Sequence, residues 1–216
     1  MQYIFLDLEM NPVSRDFKQE RKICKSEVIE IGAVMLDENM EEIDAYKQYV
    51  KPKFNKGIEH NIRNLTGIQD KDVEKAVSFV EMWSTFVEWC GKDCVVYTWS
   101  ANDARQIRKE MRLKGVDESE HKEFLNSWRD LQKEFGELIG VHKNISLECA
   151  VGAIGEKFQG NQHDALCDSR NTAEIFRVTK DEVRRKKAIE YLIELFREKG
   201  NLTYSMGDLI AKCMEE

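Results

Sequence analysis

Residues 3–10, YIFLDLEM, form a run that can be buried on both sides only in the middle of a sheet. Side chains on a β-strand alternate, so Ile4, Leu6 and Leu8 share one face, while Tyr3, Phe5, Asp7 and Glu9 share the other. Apolar residues on both faces call for a central strand covered by helices above and below. Asp7 and Glu9 then lie about 7 Å apart on a face built for a core. An unpaired buried carboxylate is costly, and a like charge beside it adds repulsion. Either the strand emerges into solvent at Glu9, or a cation from elsewhere in the molecule or from solution neutralises the pair.

The rest of the chain supports a layered α/β domain. Residues 26–52, SEVIEIGAVMLDENMEEIDAYKQYVKP, read as two strands around a DENM turn, with Val28, Glu30 and Gly32 alternating against Ile29, Ile31 and Ala33. NIRNLTGI predicts a short helix or turn closed by Gly67, and SFVEMWSTFVEWCG a helix ending at Gly91. CVVYTW is a buried strand followed by a helix over SANDARQIRKEMRLKG, stopped by Gly115. SWRDL suggests a short strand, and helices follow around QKEFGELIG, SLECAVGAIG, HDALCDSRNTAEIFRV and EVRRKKAIEYLIELF. Three strands in succession, then strand and helix alternating, predict a mixed sheet flanked by helices on both faces. The 216 residues suit one such domain, with no linker inside it, and residues 200–216 carry no assignable pattern.

Composition narrows the setting. No uninterrupted apolar run approaches the roughly 20 residues needed to cross a bilayer, and the first residues lack a leader pattern, so we expect a cytoplasmic protein with no membrane contact. The six cysteines show no paired C-x-x-C spacing and read as reduced thiols. A net charge of −7 argues against indiscriminate binding of polyanions. Arg15, Lys18, Arg21, Lys22 and Lys25 nevertheless crowd the segment after the opening strand, where they are either a solvated loop or a guide for phosphates.

Three further residues join the opening pair. Asp103 follows a buried strand. Ser100 and Asp103 fit a capping box, yet strand ends in an open α/β sheet also form the ligand crevice. Asp168 shares a helical stripe with Ala165, Thr172 and Ile175 or Phe176, small and apolar neighbours that leave an acid in want of a cation. His163, just before that helix, is a general-base candidate. Four acids from three segments are most simply reconciled by a pair of hard divalent cations on carboxylate oxygens, a site for phosphoryl chemistry.

DLEM, TWSAND and HDALCD, in that order, resemble the three exonuclease motifs of the DEDDh branch of DnaQ-like 3′-to-5′ exonucleases; SEVIEIGAVML and LTGI resemble the same family. The likeness spans about residues 2–180 and is closest to single-domain exoribonucleases such as the histone-mRNA 3′ exonuclease and the bacterial inhibitors of the KinA sporulation pathway. It implies a ribonuclease H-like fold, two Mg²⁺ or Mn²⁺ ions, and release of 5′-mononucleotides from single-stranded RNA or DNA 3′ ends, RNA before DNA. By motif, Asp7, Glu9, Asp103 and Asp168 would hold the metals and His163 would be the base. Leu8 and Met10 would contact the terminal nucleoside, Leu65 would pack on its base, and Trp99 would stack on a base or pack in the core. A DNA-directed proofreading enzyme and a regulatory binding protein of the same fold stay open. The expected division is an exonuclease domain over 1–180 and a helical extension over 181–216 packed on it.

Overall fold

Five strands, β1 (Gln2–Pro12), β2 (Ser26–Leu36), β3 (Glu42–Tyr49), β4 (Cys94–Thr98) and β5 (Arg129–Asp130), form one sheet in the order β3-β2-β1-β4-β5. The opening run is therefore central. This computed structural model describes residues 1–55, 57–139 and 144–198, with side chains as far as Glu190 in the last segment. Its helices are α1 (Glu20–Ile23), α2 (His60–Thr66), α3 (Asp70–Glu74), α4 (Phe79–Cys90), α5 (Ala101–Lys114), α6 (Lys122–Asn126), α7 (Leu131–Ile139), α8 (Leu147–Ala153), α9 (Ala165–Lys180) and α10 (Glu182–Glu198).

The two faces of β1 bury as the alternation requires. Ile4, Leu6 and Leu8 pack with Phe79, Met82, Trp83 and Phe86 of α4 and with Ile107 and Met111 of α5. Phe5 packs on the other face with Tyr97, with Phe135 of α7 and with Ala173 and Phe176 of α9. The sheet is mixed: β1 is antiparallel to β2 and parallel to β4, and helices cover both sides. Stops fall where glycine permits them. Gly67 closes α2 in the left-handed region at φ 77°, a conformation open to a residue without a Cβ.

Two irregularities position the site. The parallel pairing ends at Leu6 opposite Thr98, so from Asp7 to Pro12 β1 is paired only with β2 and its other edge is open. Ile29 is the extra residue of a β-bulge, because Glu9 lies opposite Glu30 while Met10 lies opposite Val28. The bulge sends Ile29 into a small third cluster with Ile58, Ile68 and Val73 beneath α2 and α3.

At the other end of the chain α10 packs on α9 and α8, and Arg184 bridges Glu174 and Glu156 at 2.5 and 3.0 Å. The remainder of the expected extension, residues 199–216, lies outside the described residues. No helix among the described residues is long and apolar enough to cross a membrane.

Candidate active site

The acids arrive from three elements at the open edge of β1. Asp7 and Glu9 stand on the face that α9 crosses. Asp103 lies in the first turn of α5, directly after β4, and Asp168 in the first turn of α9. Close approach of α9 depends on Gly32, opposite Asp7 on β2: a Cβ there would lie 2.2 Å from the backbone of Ala165. Any side chain would push the helix, and Asp168 with it, off the sheet.

Burial and neighbouring acids raise the proton affinity of all four carboxylates. Burial is the largest cause in each case. Asp7 is held well above the usual carboxylate range by burial and then by the charges of Asp103, Asp168, Glu9 and Glu30. Burial and neighbouring carboxylates push Glu9 up to about 8, and burial pushes Asp103 up to about 7 and Asp168 up to about 6. Few donors oppose this. Among the described residues, Asp168 Oδ2 accepts the His163 backbone N–H at 3.3 Å, while its buried Oδ1 has no hydrogen-bond partner. No Lys or Arg in the described residues pairs with Asp7, Glu9, Asp103 or Asp168. Such an orphaned oxygen among crowded acids fits a hard divalent cation.

His163 stands at the rim. Its backbone adopts φ 62°, left-handed for a non-glycine residue, and its side chain keeps 45% exposure. Nδ1 lies 4.0 Å from Glu9 Oε1, and Glu9, His163 and Asp168 each offer a ligand atom within 4.8 Å of the others. The α9 N-cap is Asp164: its Oδ1 accepts the Leu166 and Cys167 N–H groups at 3.1 Å each.

Other expectations meet different outcomes. The capping box at α5 does not form, since Ser100 Oγ accepts from the Asn102 N–H at 3.2 Å, and buried Asp103 is turned into the acid cluster. Of the two expectations for Trp99 its surroundings favour packing in the core: it is 8% exposed, donates its indole N–H to the Ile145 carbonyl at 2.9 Å and packs on Phe135. Leu8 is 4% exposed and its side chain fills the core under α4 and α5, on the face opposite the acids, which leaves its backbone for the expected nucleoside contact. Met10 is half-buried, and Leu65 on α2 is 50% exposed. Asn11 ties that helix to β1, donating to the Gly57 carbonyl at 3.2 Å and accepting the Glu59 N–H at 2.8 Å.

Sequence reasoning missed Glu30, Lys47 and Asp130. Glu30 faces Glu9 across the strands and is buried; its Oε2 accepts the Ala165 N–H at 3.2 Å. Lys47 lies 3.2 Å from Glu30 Oε1 and 2.6 Å from Asp164 Oδ2, so one ammonium joins β2, β3 and the start of α9. Asp130 accepts the Ala101 N–H at 3.1 Å and the Lys133 N–H at 2.9 Å, tying α5 to α7 beside Asp103. An acid inside the apolar run SEVIEIGAV was the available signal for Glu30.

A family model described as Exonuclease matches residues 4–176. The chain belongs to the exonuclease family. Mouse (Mus musculus) 3′-5′ exoribonuclease 1 is 27% identical to this exonuclease-family chain over 159 residues, which cover 69% of the chain and 45% of that protein. The chain thus spans less than half the length of that relative. Among solved structures, the nuclease domain of 3′hExo, a DEDDh family member bound to rAMP, superposes with a TM-score of 0.70 at 21% identity, covering 84% of this chain and 92% of that one. Pop2p of S. pombe in its Mg²⁺- and Mn²⁺-bound form gives 0.63 at 14% identity, covering 84% of each. At these identities the likeness shows the fold, which is ribonuclease H-like.

Proposed function

We propose that this chain is a DEDDh 3′-to-5′ exonuclease that releases 5′-mononucleotides from single-stranded nucleic acid with a free 3′ hydroxyl, RNA in preference to DNA. The observation that carries the reading is the convergence of Asp7, Glu9, Asp103 and Asp168, almost without donors, beside a half-exposed His163. Asp7, Glu9, Asp103 and Asp168 would hold two divalent ions, Mg²⁺ or Mn²⁺. When bound, such ions supply Lewis acidity and neutralise charge on the phosphate. The chain's residues do the rest. The His163 imidazole accepts a proton from the attacking water as its oxygen bonds to the terminal phosphorus. The bond to the preceding nucleotide's O3′ breaks, and solvent returns a proton to that oxygen. The Asp168 carboxylate holds the His163 backbone in its left-handed turn and so aims the ring. Met10 and exposed Leu65 offer apolar contact to the terminal nucleoside.

The preference for RNA is supported by the exoribonuclease relative and by the rAMP held by 3′hExo. Activity would reside in residues 1–180, with 181–216 an extension of the same domain. The free thiols of Cys24, Cys90, Cys94, Cys149 and Cys167 support a cytoplasmic setting. The test is digestion of matched RNA and DNA single strands with Mg²⁺. Mononucleotides should appear from RNA faster than from DNA, a 3′-phosphate should block the reaction and a 5′-phosphate should not. Cutting of a circular strand would sink the exonuclease reading, and faster digestion of DNA would reverse the substrate preference.

A further inference from the structure

The segment that leaves the open end of β1 carries a frame of cations that the catalytic chemistry does not use. Arg15, Lys18, Lys22 and Lys25 are exposed, Arg21 is half-buried, and Lys51 and Lys53 are exposed on the adjoining strand-to-helix connection. Among the described residues none of these seven side chains pairs with a carboxylate, although the chain as a whole is acidic at −7. Arg63, Arg108, Arg112, Arg170, Arg177 and Arg184, by contrast, all sit on acids.

The frame is built rather than loose. The Val13 N–H donates to the Lys25 carbonyl at 2.9 Å, the Ser14 N–H to the Phe54 carbonyl at 3.0 Å, and the Arg21 guanidinium to the Val13 carbonyl. Between the two basic stretches Phe17 and Phe54 meet edge to face, ring centroids 5.4 Å apart, both half-buried. Lys53 and Lys114 lie over the Phe54 ring at 5.5 and 4.8 Å. Cations interleaved with aromatic rings match what a single strand presents, phosphates along one side and flat bases along the other. From Glu9 to Arg15 the chain reaches at most roughly 20 Å, so the surface lies within a few nucleotides' length of the acid cluster.

We propose that this surface, residues 13–25 with 51–54, is a docking track for the phosphate backbone of the nucleotides upstream of the 3′ end. It rests on the exonuclease reading for its direction but not for its existence. Binding of a single strand there is measurable without hydrolysis.

The experiment compares wild type with a variant carrying R15S, K18S, K22S and K25S, all exposed positions at which folding should be unaffected. Anisotropy of a fluorescein-labelled 15-nucleotide oligouridylate in EDTA reports the track alone. The dissociation constant should weaken about tenfold, and the slope of log affinity against log salt should become shallower by about 3, roughly 0.7 for each of four phosphate contacts. In Mg²⁺ the KM for the 15-mer should rise by a similar factor, while kcat/KM for a dinucleotide changes less than twofold. Equal affinity and slope in the two proteins would overturn the track, as would failure of wild type to bind at low salt. So would displacement of the RNA by polyglutamate of matched charge, which would mark a surface for an acidic protein. If wild type binds but releases no mononucleotide, the exonuclease reading falls and the track stands.

Discussion

This protein buries carboxylates in two places and treats them oppositely. On the α5 side of the sheet, Glu27 accepts the Lys53 and Phe54 N–H groups at 2.7 and 2.6 Å and meets Lys114. Glu110 beside it accepts the Val28 N–H at 2.8 Å and the Gln106 amide at 3.1 Å. Every charge there has a donor. At the open edge of β1, Asp7, Glu9, Asp103 and Asp168 crowd one another with backbone N–H groups as their few donors, and Asp168 Oδ1 has no partner. Proton affinity alone does not tell these regions apart, because burial pushes Glu110 up to about 8, the same value as Glu9. The number of donors does. A buried acid with partners joins elements together; buried acids without them are waiting for a ligand that the chain does not contain.

The comparison breaks most readily at His163. His163→Ala should cost on the order of 10² to 10⁴ in hydrolysis rate, the range for a positioned acid or base, with metal affinity retained by the remaining acids. Steady-state rates and calorimetric titration with Mn²⁺ check it. Loss of metal affinity equal to that in Asp7→Ala would move His163 from base to ligand.

The satisfied cluster should respond the other way. Lys114→Met leaves Glu27 and Glu110 buried without their cation and should cost about 3–5 kcal/mol of stability. In a chain of this size that lowers Tm by roughly 6–20 °C. Hydrolysis of a dinucleotide by the folded fraction should be retained. A variant that melts normally but has lost activity would show that the α5-side cluster is functional too.

The smallest effect sharpens the contrast through pH. Asp168, Asp103 and Glu9 have folded-state values raised to about 6, 7 and 8 above ordinary ones near 4. The stability they contribute is therefore present below pH 4 and is lost as pH rises through those folded values. In EDTA, Tm should fall between pH 5 and 8.5. Saturating Mn²⁺ should flatten the decline, because an ion bound only by the folded state offsets the repulsion. Asp103→Asn deletes one charge, so its metal-free melt should match or exceed wild type, with a smaller Mn²⁺ shift. An unchanged Mn²⁺ shift would remove Asp103 from the site.

Much of this architecture is legible in the chain because period-two and helical patterns are local. The two buried faces of β1, the DENM turn, the helix over Phe79–Cys90 and the one ending at Lys114 all follow from residues within a few positions of one another. The acids were legible for a related reason: each is a charge set in a segment otherwise patterned for burial. What stayed hidden depends on pairing between distant segments. The bulge at Ile29 exists only in the register of β1 on β2, and Lys47 becomes a counter-ion only once β3 brings it beside Glu30 and Asp164. Trp99 stayed open between two readings because an aromatic at a strand end has the same local signature whether it meets a base or a carbonyl. Its bond to Ile145 spans 46 residues. Short elements such as α3 and α6 carry too few residues to show a period at all.

The sheet order also governs when the protein can first act during synthesis. β1, β2 and β3 form a meander that can pair as it leaves the ribosome. β4 must then insert along the opposite edge of β1, and α9 must close over Gly32 before Asp168 reaches Asp7. The long-range parallel pairing and the late helix are the slow events in such a topology. Until synthesis has passed Asp168 the chain lacks one of the four acids, so the carboxylate cluster is incomplete while the segment before it is already folding.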